Sequence, residues 1–180
     1  MAAPPRWSFR EGDTKTAFVA HLDRCQAMMA AVPLLTFTVR GVELAYKAIH
    51  PPKSAAPSSV DLLILTGWNE NLEKYAEVAH AATREWGDCA VSVYLMDHRG
   101  MGLSGRDPAV VDTPAVTFPE YGFEQYCEDV EQFVEQVVHR TDGSSSRPLC
   151  ACAHSMGGLV ASLVAARKPD LFSQMVLSGE

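Results

Sequence analysis

Four short runs in this chain are almost wholly apolar: VDLLILTG (60–67), VSVYLM (91–96), PLCACA (148–153) and MVLSG (175–179). A strand covered by helices on both faces has this character, whereas a strand with one wet face alternates. The runs therefore constrain the chain to an α/β fold with a mostly parallel sheet. The segments between them supply crossover helices. Over 71–86, Leu72, Tyr75, Ala76, Val78, Ala79 and Ala82 recur at helical spacing, with Gly87 as a stop. Over 123–138, Tyr126, Val130, Phe133, Val134 and Val137 form one stripe, and a third helix runs from Met156 to Arg167. Upstream, LLTFTV (34–39) and VELAYKAI (42–49) flank Arg40-Gly41 and predict an antiparallel hairpin. PPKSAAPSS (51–59) reads as a surface linker.

At 180 residues the chain suits one domain with a real core, and its 47% hydrophobic and 21% charged content is that of a globular protein. Residues 1–33 read as an N-terminal extension ahead of a domain over 34–180. Within the extension, Phe18, Val19, Leu22, Met28 and Met29 predict an amphipathic helix over 14–31, which covers the core or rests peripherally on a membrane. No secretory signal and no membrane-length apolar run is present, so the expected location is cytoplasmic. A net charge of -7 with no basic stripe argues against nucleic acid as a partner. The five cysteines are scattered without a CxxC, which points to reduced thiols rather than a disulfide framework. Cys150 and Cys152 fall on one face of their strand.

In parallel α/β sheets the loops at the carboxyl ends of strands form the site. Three such loops carry chemistry. The first is Ala153-His154-Ser155-Met156-Gly157, one residue away from the G-x-S-x-G elbow and seated between a buried strand and a helix. An elbow serine sits on a strained turn, and the positions two before and two after it must be small. The helix start favours developing negative charge there. Ser155 is therefore the candidate nucleophile. The second loop is Thr66-Gly67-Trp68-Asn69-Glu70, where Gly67 lets the backbone turn sharply and an amide can face an oxyanion. The third is Asp97-His98-Arg99-Gly100-Met101-Gly102-Leu103-Ser104-Gly105. Its GMGLSG matches the dinucleotide fingerprint literally, but the fingerprint must open a helix straight from the strand. Three prolines separate it from the next helix, so the nucleotide reading is disfavoured. No histidines pair at metal-ligand spacing; neither a metal nor a cofactor is expected.

In this order the three loops resemble the α/β-hydrolase fold, and more narrowly its monoacylglycerol lipase and lysophospholipase branch, grouped with the serine aminopeptidase hydrolases. The matching pieces are LTGWNENLEKYAEVA, YLMDHRGMGLSGR, FEQYCEDVEQFVEQV and AHSMGGLVASLVAARKPDLFSQMVLSG. The resemblance implies Ser155 as nucleophile and the backbone amides of Met156 and Trp68 as the oxyanion hole. It implies Ala153, His154, Gly157, Gly67 and Glu70 as elbow and loop support. Asp97, Arg99 and Gly100 belong to the D-x-R-G-x-G-x-S turn that braces the site. Glu70 is expected to orient rather than react, and the implied substrate is a small lipid ester.

A serine needs a base, and in this fold the order is Ser, then an acid, then His. After Ser155 the only acids are Asp170 and Glu180, and there is no histidine. The expectation is a fold truncated after about the sixth strand, without the cap, triad acid and base. Such a chain would show little turnover and would leave its last strand as an edge for self-association. The competing reading is a catalytically inactive hydrolase-like binding protein.

Overall fold

The computed structural model describes residues 15–51, 58–84, 90–107, 119, 122–139 and 147–179. Strands β1 (Leu35–Val39), β2 (Val42–Ile49), β3 (Val60–Leu65), β4 (Val91–Met96), β5 (Leu149–His154) and β6 (Gln174–Ser178) form one sheet in the order β1-β2-β4-β3-β5-β6. The hairpin forms as its sequence predicts, with Val39 opposite Val42 across Arg40-Gly41. Both turn residues have positive φ (49° and 79°), the geometry of a two-residue hairpin loop. β2 runs antiparallel to β4, and β4, β3, β5 and β6 are mutually parallel.

β3 and β4 are central and buried along nearly their whole length, which explains their unbroken apolar sequences. On one side of the sheet lie α3 (Phe123–Phe133) and α4 (Met156–Arg167), packed over Leu63, Leu65, Tyr94, Met96, Ala151 and Ala153. On the other side α1 (Lys15–Ala31) and α2 (Ala76–Arg84) cover Leu62, Ile64, Val93 and Leu95. Cys150 and Cys152 share that second face, half-buried, while Cys25 and Cys127 are buried, and none of the four forms a disulfide. Cys89 lies outside the described residues, as do the linker residues 52–57.

Three elements differ from expectation in detail. The helix expected over 71–86 starts as a 3-10 turn (Leu72–Tyr75), capped by the Asn71 side chain accepting from the Lys74 amide, before α2 begins. α3 ends in a π turn (Val134–Val138), which the apolar stripe could not distinguish from α-helix. In α1 the buried residues are Cys25 and Met29, whereas Phe18 and Val19 are 43% and 45% exposed. The His21 ring of α1 meets Glu77 and His80 of α2. Lys47, buried on β2, donates to the Met29 carbonyl at the end of α1 and to Glu73. A cation there complements the helix C-terminus.

β6 pairs only with β5 among the described residues, and Met175, Val176 and Leu177 are exposed (38, 64 and 50%). This is the apolar edge the sequence anticipates.

Candidate active site

β5 stops at His154 and α4 starts at Met156, so one residue makes the whole turn from strand to helix. That residue, Ser155, has φ 48° and ψ −118°. A serine at positive φ costs about 1–3 kcal/mol and persists only where its surroundings enforce it. Here they do. The Ser155 amide donates to the Ser178 carbonyl at 2.8 Å, continuing the β5–β6 ladder by one bond, and its carbonyl accepts from Gly158 and Leu159 at 2.9 and 3.2 Å. The side chain is exposed.

The small residues around it have separate causes. A Cβ on Gly157 would lie 2.5 Å from the Thr66 carbonyl oxygen and 2.7 Å from that of Leu65, so α4 rests backbone-to-backbone on the end of β3. Ala153 is buried under the same contact face. Gly158 faces nothing closer than 3.9 Å and could carry a methyl.

The loop after β3 is built around a carboxylate. Glu70 accepts from the Gly67 amide at 2.8 Å and from the Tyr75 hydroxyl at 2.6 Å, and it pairs with Lys74. Burial alone would raise its pKa, but the bonds from Lys74, Tyr75 and Gly67 outweigh it and bring the carboxyl down to about 2. Burial and the same carboxylate push the Tyr75 hydroxyl up, which keeps it a donor. Asn69 takes positive φ (56°), a conformation asparagine tolerates. The chain turns at Gly67 as expected, with the Glu70 amide donating to its carbonyl, although Gly67 does not take positive φ. A Cβ there would sit 2.9 Å from the Glu70 carboxylate and 3.0 Å from the His154 ring, so a side chain at Gly67 would displace one or both. Trp68 is 37% exposed beside it.

The third loop braces rather than lines. Asp97 is fully buried and accepts from the Leu72 amide at 2.6 Å and the Leu103 amide at 2.9 Å, linking the loop after β3 to its own turn. Gly102, at φ 53°, makes room for that carboxylate, since a Cβ would lie 2.1 Å from it. Gly100, at φ 75°, closes the turn by donating to Gly105. Ser104 donates to the Asp97 carbonyl and accepts from the Ala45 amide, fastening the turn to β2. Arg99 reaches the other way, with a buried bidentate pair to Asp129 of α3 at 2.7 and 2.5 Å. His98, between them in sequence, is fully buried against the Tyr126 ring. Burial lowers its pKa to about 4, with the Thr66 backbone opposing. The GMGLSG run lies in this turn and opens no helix among the described residues.

The geometry thus brings Ser155, His154, Gly157, Gly67 and Glu70 together, while Asp97, Arg99 and Gly100 hold the loops from behind. Residues that sequence reasoning missed are Lys74, Tyr75, Asp129, Ser178 and Gly179. Lys74 is four residues after Glu70 and was readable as a helix-type pair. Tyr75 reaches Glu70 from five residues along the same segment and Asp129 arrives from α3, while Ser178 and Gly179 meet the site only through sheet order, which local sequence does not encode. Among the described residues no group of three His, Cys, Asp or Glu could hold a metal ion.

A protein-family model described as serine aminopeptidase, S33, matches residues 57–179. A protein named "Probable lysophospholipase L2" from Haemophilus influenzae is 30% identical over 143 residues, covering 77% of this chain and 40% of its own length. A monoacylglycerol lipase from Mycolicibacterium smegmatis is 30% identical over 145 residues, covering 78% of this chain and 44% of its own. Among solved structures, the thioesterase domain from the curacin biosynthetic pathway has a TM-score of 0.62 at 19% identity, over 82% of this chain and 46% of that one. The chain spans about two fifths of the length of the curated relatives it matches. With a family match over most of its length, two relatives at that identity and a shared sheet, this chain belongs to the serine aminopeptidase S33 family of α/β hydrolases.

Proposed function

We propose that this chain carries the nucleophile and oxyanion half of a serine ester hydrolase acting on lipid monoesters of the lysophospholipase or monoacylglycerol type. The observation that carries the reading is the enforced positive φ of Ser155 at the exposed β5–α4 junction. Nothing in ordinary packing rewards a strained serine there, whereas a nucleophile held at a helix N-terminus gains from it. The names of the two relatives support the substrate class.

In the proposed reaction the Ser155 oxygen attacks the ester carbonyl carbon and its proton passes to a base. The carbonyl oxygen takes up negative charge facing the Met156 amide, which as the first of α4 has no intrahelical acceptor, and the Trp68 amide. Collapse breaks the bond to the alcohol, which leaves with the proton, and water then releases the acid from Ser155. Glu70 holds the loop that presents the second amide. No histidine follows Ser155 in these 180 residues, and the bonds of His154 and the burial of His98 direct both rings elsewhere. The isolated chain is therefore expected to give at most one equivalent of product from a p-nitrophenyl ester or monoacylglycerol, lost in Ser155→Ala. Sustained turnover at about 1–1000 per second by these residues alone would overturn the reading that none of these 180 residues serves as the base.

Two associations go with this reading. The exposed Phe18 and Val19 of α1 support peripheral contact with a lipid surface; no described helix is long and apolar enough to cross a membrane. The exposed β6 edge supports self-association.

A further inference from the structure

The residue preceding the nucleophile is tied to both neighbouring strand ends. The His154 ring leaves β5 between β3 and β6, the two strands that flank it in the sheet. On the β3 side its Cδ2 lies where a Cβ of Gly67 would be only 3.0 Å away, and its Nε2 stands 3.9 Å from the Glu70 carboxylate. On the β6 side Nδ1 is 3.1 Å from the Ser178 hydroxyl, and a Cβ on Gly179 would come within 2.5 Å of Cε1. Gly179 has φ 78°, so the chain bends around the ring. Ser178 is also the residue whose carbonyl holds the Ser155 amide. Two glycines whose added Cβ atoms would meet the ring, one hydroxyl and one carboxylate thus converge on a single imidazole.

At 3.9 Å the Nε2–Glu70 contact is electrostatic and not a hydrogen bond; a proton on Nε2 makes it attractive and leaves Nδ1 to accept from the Ser178 hydroxyl. A ring so placed fixes the distance between the Gly67–Glu70 loop and the nucleophile strand. We propose that His154 is a positioning residue. It acts as a polar peg that sets the Gly67–Trp68 backbone relative to Ser155 through Glu70, and clamps the end of β6 through Ser178. It takes no proton from the nucleophile. The inference rests on the proposed role of that loop as half of the oxyanion hole, but the peg itself is a structural claim with its own readout.

The test is amide hydrogen exchange, segment by segment, on the 180-residue chain and four variants. His154→Ala exchanges about tenfold faster over 66–70 and over 174–179, with α4 unchanged. His154→Asn, whose amide can occupy the Nδ1 position, restores protection over 174–179 only. His154→Gln, which reaches the Nε2 position, restores it over 66–70 only. His154→Phe fills the space without polar atoms and restores neither. Should the alanine variant fail to fold, the opposite behaviour of asparagine and glutamine decides the matter. Native protection in the phenylalanine variant, or identical profiles for asparagine and glutamine, would overturn the peg. In parallel, fluorophosphonate labelling of Ser155 falls about 10- to 100-fold in the alanine and asparagine variants and recovers with glutamine, because a small displacement of an oxyanion donor is costly. Failure of the parent chain to label would count against Ser155 as nucleophile, while the exchange pattern would still judge the peg.

Discussion

Ser155 sits in a backbone conformation that glycine would adopt without strain. Ser155→Gly is therefore expected to stabilise the fold, by up to about 1 kcal/mol in urea unfolding, while removing the reactive hydroxyl. Gly157→Ala should do the opposite, costing about 1–3 kcal/mol because the Thr66 carbonyl beneath it belongs to backbone and cannot step aside. Gly158→Ala, one residue on, where an added methyl meets nothing closer than 3.9 Å, is the control and should be neutral or slightly stabilising. Glu70 supplies a pH signature. Its folded-state pKa lies below the ordinary 4.5, near 2, so its ionised form favours the folded state. That contribution is complete above pH 4.5 and disappears as the pH falls towards 2. Urea unfolding of the parent and Glu70→Gln should therefore differ at neutral pH and converge through this window. The need for small neighbours around the serine was legible in sequence. The reason for Gly67 was not, because the ring and carboxylate that a side chain would displace arrive from β5 and from the folded-back loop.

At the scale of elements, the bracing turn is held to α3 by the Arg99–Asp129 pair. Removing one partner leaves a buried charge unmet, so Asp129→Ala should lose about 3–5 kcal/mol and lower the thermal midpoint sharply. Replacing both by apolar residues of similar volume, Arg99→Met with Asp129→Leu, should cost much less. The other tether is Lys47. Lys47→Met frees the Met29 carbonyl and Glu73, and hydrogen exchange should then quicken in α1 well before the sheet is affected. β3, β4 and the hairpin were readable because burial on both faces, or a two-residue turn, leaves a local imprint; β6 has an apolar sequence although it is exposed along its length. The 3-10 start before α2 and the π turn after α3 were not, since both are set by which partner each backbone group finds after packing.

For the molecule as a whole, sequence order delivered the three loops and the fold, because each loop follows its own strand. It could not deliver the lateral order β4-β3-β5-β6, and with it the meeting of His154 with Gly67 on one side and Ser178 and Gly179 on the other. The exposed β6 is the remaining whole-molecule feature. If it mediates self-association, Val176→Lys should shift a concentration-dependent sedimentation profile towards monomer without changing the melting transition of the dilute protein. The central claim is that Ser155 is a nucleophile set in an oxyanion site. Its most direct test is to expose the 180-residue chain to a fluorophosphonate and locate the adduct by mass spectrometry. The account predicts one adduct, on Ser155, formed slowly because these residues supply no base, yet faster than at any other exposed serine through the oxyanion site, and absent from Ser155→Ala. An unmodified Ser155, or equal modification of other serines, would contradict it.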